Sequence, residues 1–120
     1  MASPSSVFRQ SPEEILRLVR SAILERHALK VIYEERERLL CPQMLGRSKA
    51  GQRRVLCLQI GGESTSGLRK ASPGNWRCLA LEKLQYVEEA VAGWTGGDPV
   101  RRPKCIDQVE LEVSSASTGT

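Results

Sequence analysis

Aromatic side chains are scarce in this sequence: phenylalanine, tryptophan and tyrosine together account for 4% of its 120 residues. A hydrophobic core must therefore be built mainly from Leu, Ile, Val and Ala, and a chain of this length suffices for one domain. Hydrophobic residues at 40% and charged residues at 27% are typical of an ordered globular protein and not of a disordered one.

Long apolar runs are also lacking. No run is long enough to span a bilayer, and the N-terminus has no apolar core of the signal-peptide type. We therefore expect no membrane partner and a cytoplasmic location. The formal net charge of +4 is modest, and Lys and Arg are interleaved with Glu instead of forming a stripe. This charge permits an anionic partner such as nucleic acid but does not require one.

Groups for catalysis or metal binding are few. The single histidine, His27, lies at the predicted end of a helix, where the helix dipole favours it, and the carboxylate pairs have no polar partners nearby. The sequence therefore predicts a protein that is not an enzyme and carries no metal or cofactor. Four cysteines are widely spaced, with no Cys-x-x-Cys, and we expect them to be buried free thiols. They are Cys41, Cys57, Cys78 and Cys105.

A helix is predicted over residues 12–27. Ser11 can cap the free backbone amides, Pro12 suits the first turn, and Glu14 completes a capping box. Apolar residues then recur at helical spacing and form a stripe that another element must cover. The Ser-rich ends read as disordered tails. The predicted layout is a tail at 1–10, a single domain at 11–113 and a second tail at 114–120.

The rest of the domain shows alternation of apolar and polar residues, which predicts strands. The first two predicted strands join at Glu34-Glu35 as a hairpin, and the second is expected to end at Pro42. Residues 85–92 suit either a helix, which periodicity slightly favours, or a short strand. Together the pattern predicts a mainly β, α+β domain: a small barrel or strongly bent antiparallel sheet with one N-terminal helix. The predicted strands cover residues 29–33, 36–41, 54–60, 76–81 and 105–113.

Four stretches carry a family resemblance: 23–33, 38–46, 51–60 and 76–84. In order they read as a helix end and a strand ending in Tyr, a strand closing on Pro, a central strand, and a strand running into a short turn. This order resembles the WYL domain family, and a Gly-Gly-x-Ser run after the third strand is similar to short standalone members. The Trp-Tyr-Leu triplet that names the family is not found here. The resemblance implies an SH3-like or Sm-like barrel and a strand, not a helix, at 85–92, and we adopt the strand.

The resemblance also implies a regulatory module that senses a nucleotide or oligonucleotide through basic residues on the barrel. Arginine suits phosphate, and a tryptophan can stack on a base, although a core position is the simpler interpretation of this one. The alternative is a structural protein that forms a homo-oligomer through exposed strand edges. The candidate ligand-binding residues are Tyr33, Arg53, Arg69, Trp76, Arg77 and Lys83.

Overall fold

A computed structural model describes residues 10–62, 75–96 and 102–113. Within these residues the chain is mainly β, with one N-terminal helix and an antiparallel sheet, so the predicted fold class is confirmed. No helix in the described ranges is long and apolar enough to cross a membrane. The elements are α1 (Pro12–Glu25), β1 (Ala28–Tyr33), β2 (Arg36–Arg47), β3 (Arg53–Gly62), β4 (Trp76–Ala80), a 3-10 turn (Leu81–Lys83), β5 (Leu84–Ala90) and β6 (Gln108–Glu112).

Helix α1 begins as its sequence predicts. The Ser11 hydroxyl accepts a hydrogen bond from the Glu14 amide at 3.1 Å, and Pro12 occupies the first turn. The helix ends at Glu25, two residues earlier than predicted, because Arg26 adopts a left-handed conformation with φ of 58°. The buried side of α1 faces the sheet and consists of Ile15, Val19, Ala22 and Ile23.

Strands β1 and β2 form the predicted hairpin. Glu34 and Glu35 have φ values of 53° and 62°, as a tight two-residue turn between antiparallel strands requires. The expectation that Pro42 ends the second strand is wrong, since β2 continues to Arg47. Proline has no backbone N–H to donate to a neighbouring strand. Because the pairing of β2 with β3 is irregular between Pro42 and Met44, no regular hydrogen bond of the sheet is lost there.

The sheet is bent but open. Its strand order is β4-β3-β2-β1-β5, and β6 pairs with Met44–Arg47 of β2, which β1 leaves unpaired. The Ala80 amide of β4 donates to the Tyr33 hydroxyl of β1 at 3.4 Å, which shows how far the sheet curves. Strands β4 and β5 do not pair within the described residues, so a closed barrel is not formed there. Residues 84–90 form a strand after the 3-10 turn, as the family resemblance implied.

Each face of the sheet is covered by a different part of the chain. Helix α1 covers the inner core, which includes Val31, Leu40, Val55, Leu79 and Val87. Residues from the chain between β5 and β6 cover the outer core, which includes Met44, Leu56, Leu58, Trp76 and Trp94. The predicted alternation along β4 is confirmed, because Trp76 enters the outer core while Leu79 enters the inner core.

The expectation that all four cysteines are free thiols is wrong for two of them. Cys41 and Cys57 are buried free thiols, as predicted, and burial raises the pKa of both. Cys78 and Cys105 instead form a disulfide, with their Cα atoms 6.5 Å apart. The chain before β6 returns across the outer core and brings Cys105 to β4, a contact that the spacing along the sequence does not indicate.

The outer edge of β5 is capped by a side chain from before the helix. The Gln10 amide donates to the Val87 carbonyl at 2.7 Å and accepts from the Val87 amide at 2.8 Å, as a neighbouring strand would. The remainder of the predicted N-terminal tail, residues 1–9, and the predicted tail at 114–120 lie outside the described residues.

Candidate functional site

Polar residues occupy inward positions at one end of the bent sheet. Arg38 lies opposite Val31 of β1, and Arg77 lies opposite Cys57 of β3, so both follow the alternation that elsewhere supplies the inner core. Gln59 follows Val55 and Cys57 on the same side of β3 and is fully buried. We call this group the arginine cluster; its members are Tyr33, Arg38, Gln59 and Arg77.

Arg38 is the most deeply placed charge of the cluster, with 4% of its surface exposed. Its guanidinium carbon lies 5.4 Å from the centre of the Tyr33 ring, a cation–π arrangement. Its Nη2 donates to the Glu34 carboxylate at 3.3 Å, which is long for a charged pair. Its Nε is buried and has no hydrogen-bond partner in the part of the chain that the structure describes. A buried donor of this kind favours an added acceptor.

Arg77 is held in a fixed orientation beside Arg38. Its Nε donates to the Gln59 Oε1 at 3.1 Å, and its Nη1 donates to the Trp76 carbonyl at 3.0 Å. Gln59 is itself anchored by donating to the Gly61 carbonyl at 3.0 Å. Burial, and to a smaller degree the charge of Arg38, lowers the pKa of Arg77. The charge of Arg38 thus acts on the Arg77 guanidinium, so the two groups lie in the same region of the sheet.

This arrangement suits anion binding. A guanidinium presents donors in a planar fork that matches phosphate or carboxylate oxygens. The Glu34 carboxylate, with 58% of its side chain exposed, already contacts Arg38 at the rim, which shows that an anionic oxygen can reach the cluster. No group of three His, Cys, Asp or Glu side chains placed to hold a metal ion occurs among the described residues.

The predicted site residues lie in different parts of the structure. Tyr33 and Arg77 belong to the arginine cluster. Arg53 lies four positions along β3 from the residue that faces Arg77, roughly 13 Å away at the usual strand rise. There it binds Glu110 of β6 at 3.0 and 3.2 Å. Lys83 is exposed on the 3-10 turn, where the neighbouring Glu82 accepts a hydrogen bond from the Gln52 side chain at 2.6 Å. Arg53 and Lys83 are therefore not members of the arginine cluster.

The two remaining predicted site residues are Trp76 and Arg69. Trp76 has 9% of its surface exposed and packs in the outer core, on the face of β4 opposite to Arg77. It is therefore a core residue and is not available to stack on a base, which corrects its assignment as a ligand contact. Arg69 lies outside the described residues.

Sequence reasoning missed Arg38 and Gln59. A signal for both was present, because each occupies a position where the alternation of its strand calls for an apolar side chain. Arg38 alternates with the buried Leu40, and Gln59 alternates with the buried Cys57. A charged or amide residue in an inward strand position is costly unless it is satisfied, so it deserves a functional interpretation.

The chain was compared with protein-family models, with curated proteins and with solved structures, and none of these comparisons found a match. The resemblance to WYL domains therefore stays a prediction.

Proposed function

We propose that this chain is a non-enzymatic ligand-binding module of the WYL-like, SH3-like type, which recognises the phosphate groups of a nucleotide or short oligonucleotide. The observation that carries the proposal is the buried Nε of Arg38, which lacks a partner among the described residues, beside the second guanidinium of Arg77. A phosphate placed between them would satisfy this donor and would offset the repulsion between the two charges.

The Glu34 carboxylate is the group that such a ligand would displace. It contacts Arg38 at 3.3 Å from a mainly exposed position, so it returns to water at little cost. A phosphate carries more charge and more acceptor oxygens than one carboxylate and can contact both guanidinium groups. Exchange of Glu34 for phosphate is therefore favourable, and it gives the module a simple bound and unbound state.

Tyr33 supports the site instead of contacting the base. Its hydroxyl accepts from the Ala80 amide, and its ring face carries the Arg38 guanidinium. Tyr33 therefore has two structural roles: its hydroxyl links β1 to β4, and its ring holds Arg38 in place. Recognition at the described part of this site is directed to phosphate, and we expect weak preference among bases.

Binding of short labelled single-stranded RNA and DNA across a salt series tests this proposal. We expect saturable binding that weakens steeply as salt rises, because phosphate contacts release counterions. Arg77→Ala should weaken binding by roughly tenfold or more and reduce the salt slope by about one contact. Arg20→Ala removes the same charge from an exposed position on α1 and is the matched control. Absence of binding at low salt, or equal losses in the two variants, would refute the proposal.

A second candidate function, self-assembly through strand edges, is favoured by β6. This strand pairs with β2 along one edge, and Val109 leaves half of its surface exposed. A second copy could add to its other edge. Sedimentation of the purified chain distinguishes the candidates: a stable dimer that dissociates in Val109→Lys supports assembly, whereas a monomer at all concentrations excludes it.

A further inference from the structure

The chain between β5 and β6 forms a strap across the outer core; we use this name for residues 91–96 and 102–107. At its first part, the Trp94 indole donates to the Pro42 carbonyl at 3.2 Å, and the Thr95 carbonyl accepts from the Gln43 side chain at 3.1 Å. At its last part, the Asp107 amide donates to the Arg47 carbonyl at 2.8 Å. The disulfide from Cys105 to Cys78 is its covalent attachment.

We propose that the Cys78–Cys105 disulfide is a reversible thiol–disulfide site, which a dithiol reductant opens and which controls how tightly the strap covers the outer core. This inference does not depend on anion binding. Its first support is position. Cys78 lies on β4, an edge strand of the sheet, and both cysteines are only partly buried, so a reductant can approach the sulfur atoms.

The two other cysteines are less accessible than this pair. Cys41 and Cys57 are buried, and burial raises the pKa of both thiols, so the reaction is confined to one pair.

The exchange proceeds in two balanced steps. A thiolate of the dithiol bonds to one sulfur of the pair, and the other sulfur leaves as a thiolate that takes up a proton. The second thiol of the reductant then attacks the mixed disulfide and releases the remaining protein thiol. The protein gains two electrons and two protons, and the reductant ends as a disulfide. A disulfide oxidant of the same class reverses the reaction.

Opening of the pair removes the covalent attachment three residues before β6. The apolar residues beneath the strap, such as Leu58 and Trp76 of the outer core, then depend on the remaining hydrogen bonds for cover. Since local opening governs amide exchange, we expect the strap and β6 to exchange roughly tenfold faster, or more, in the reduced protein. Helix α1, which packs mainly against β2 and β5 on the other face of the sheet, should change less than the strap and β6.

Alkylation and hydrogen exchange, both read by mass spectrometry, test the proposal on the full chain purified without reductant. We expect no thiol to be alkylated in the native oxidised protein. Mild dithiol should expose two alkylation sites, Cys78 and Cys105, and accelerate exchange in the strap. Reoxidation should restore both signals. The double variant Cys78→Ser, Cys105→Ser should exchange like the reduced protein with or without dithiol, whereas Cys57→Ala should respond like the wild type.

Two results would overturn the inference. One is four reactive thiols in the denatured protein that has not been reduced, since this means that no disulfide forms. The other is unchanged exchange of the strap after both cysteines have been alkylated. If the double variant does not fold, the reversible reduction of the wild-type chain still decides between these outcomes.

Discussion

Arg38 combines deep burial with a donor that lacks a partner among the described residues, and such a charge lowers the stability of the ligand-free protein. Replacing a buried ion by an apolar side chain of similar length is often neutral or stabilising. The former partner, Glu34, is mostly exposed and remains hydrated after the change. A buried arginine that lowers the stability of the ligand-free protein is expected at a position that binds a ligand.

We therefore predict opposite effects of Arg38→Met on stability and binding. The free energy of unfolding in urea should stay the same or rise by about 1 kcal/mol, because a charge leaves the interior. Binding of the labelled oligonucleotides should weaken by roughly tenfold or more. Arg20→Met, on the exposed side of α1, should change neither quantity strongly. A loss of more than about 2 kcal/mol in Arg38→Met would instead assign Arg38 a structural role.

At the level of elements, the contact of β6 with β2 depends on Gly46. A Cβ atom at this position would collide with the Gln108 carbonyl and with the Ile106 side chain. Gly46→Ala should therefore push β6 and the end of the strap away from β2 and destabilise the protein by about 1–3 kcal/mol. Denaturant unfolding and amide exchange of β6 measure this effect. Gly93→Ala is the control, since nothing lies within 4 Å of its added Cβ; equal effects in both variants would contradict the prediction.

Strand β6 is also held by charge. Glu110 accepts hydrogen bonds from Arg53 of β3 and from Arg47 of β2. The Arg53 bond, aided by the Arg47 bond and opposed by burial, lowers the pKa of Glu110 below its ordinary value of 4.5. The contribution to stability is thus complete above this value and is lost as the pH falls through the lower, folded pKa.

We predict that Glu110→Gln removes this acid dependence. At neutral pH the variant should be less stable than the wild type by about 0.5–1 kcal/mol, because the carboxylate is near the surface. At a pH of about 3 the difference should shrink. Urea unfolding at the two pH values measures it. Glu112→Gln is the matched control, since the carboxylate of Glu112 is 3.8 Å from Arg102. A gap that stays constant with pH would show that Glu110 acts through packing.

The elements were predictable where local signals act alone. The cap at Ser11 and the Glu34-Glu35 turn are set by neighbouring residues, and both appear in the structure. Pro42 was wrongly predicted to end the second strand. A strand can continue through a proline where its pairing is irregular, and the partner strand determines whether such an irregularity is present. The arginine cluster was half found: Tyr33 and Arg77 were named. Arg38 and Gln59 break the alternation of their own strands, but only the pairing of the four strands β1 to β4 brings them together with Tyr33 and Arg77.

At the level of the whole molecule, one sheet separates two cores that are closed in different ways. The inner core is closed by α1, which is continuous with β1, whereas the outer core is closed by a strap with one disulfide. The disulfide could not be predicted from the sequence, because it joins residues 27 positions apart through the return of the strap. Strands β1 to β4 contribute side chains to both cores, so the stabilities of the two cores are coupled through these strands.

Separate spectroscopic signals report on the unfolding of the two cores. Both tryptophans, Trp76 and Trp94, pack in the outer core, while α1 is the α-helix of the described residues and contributes a helical signal to circular dichroism. In the oxidised protein the two signals should change together with denaturant, as in a two-state transition. After reduction we expect the tryptophan fluorescence to change at lower denaturant than the helical signal, because the strap opens first. Curves that coincide in both redox states would mean that the strands shared by the two cores couple the faces more strongly than the disulfide does.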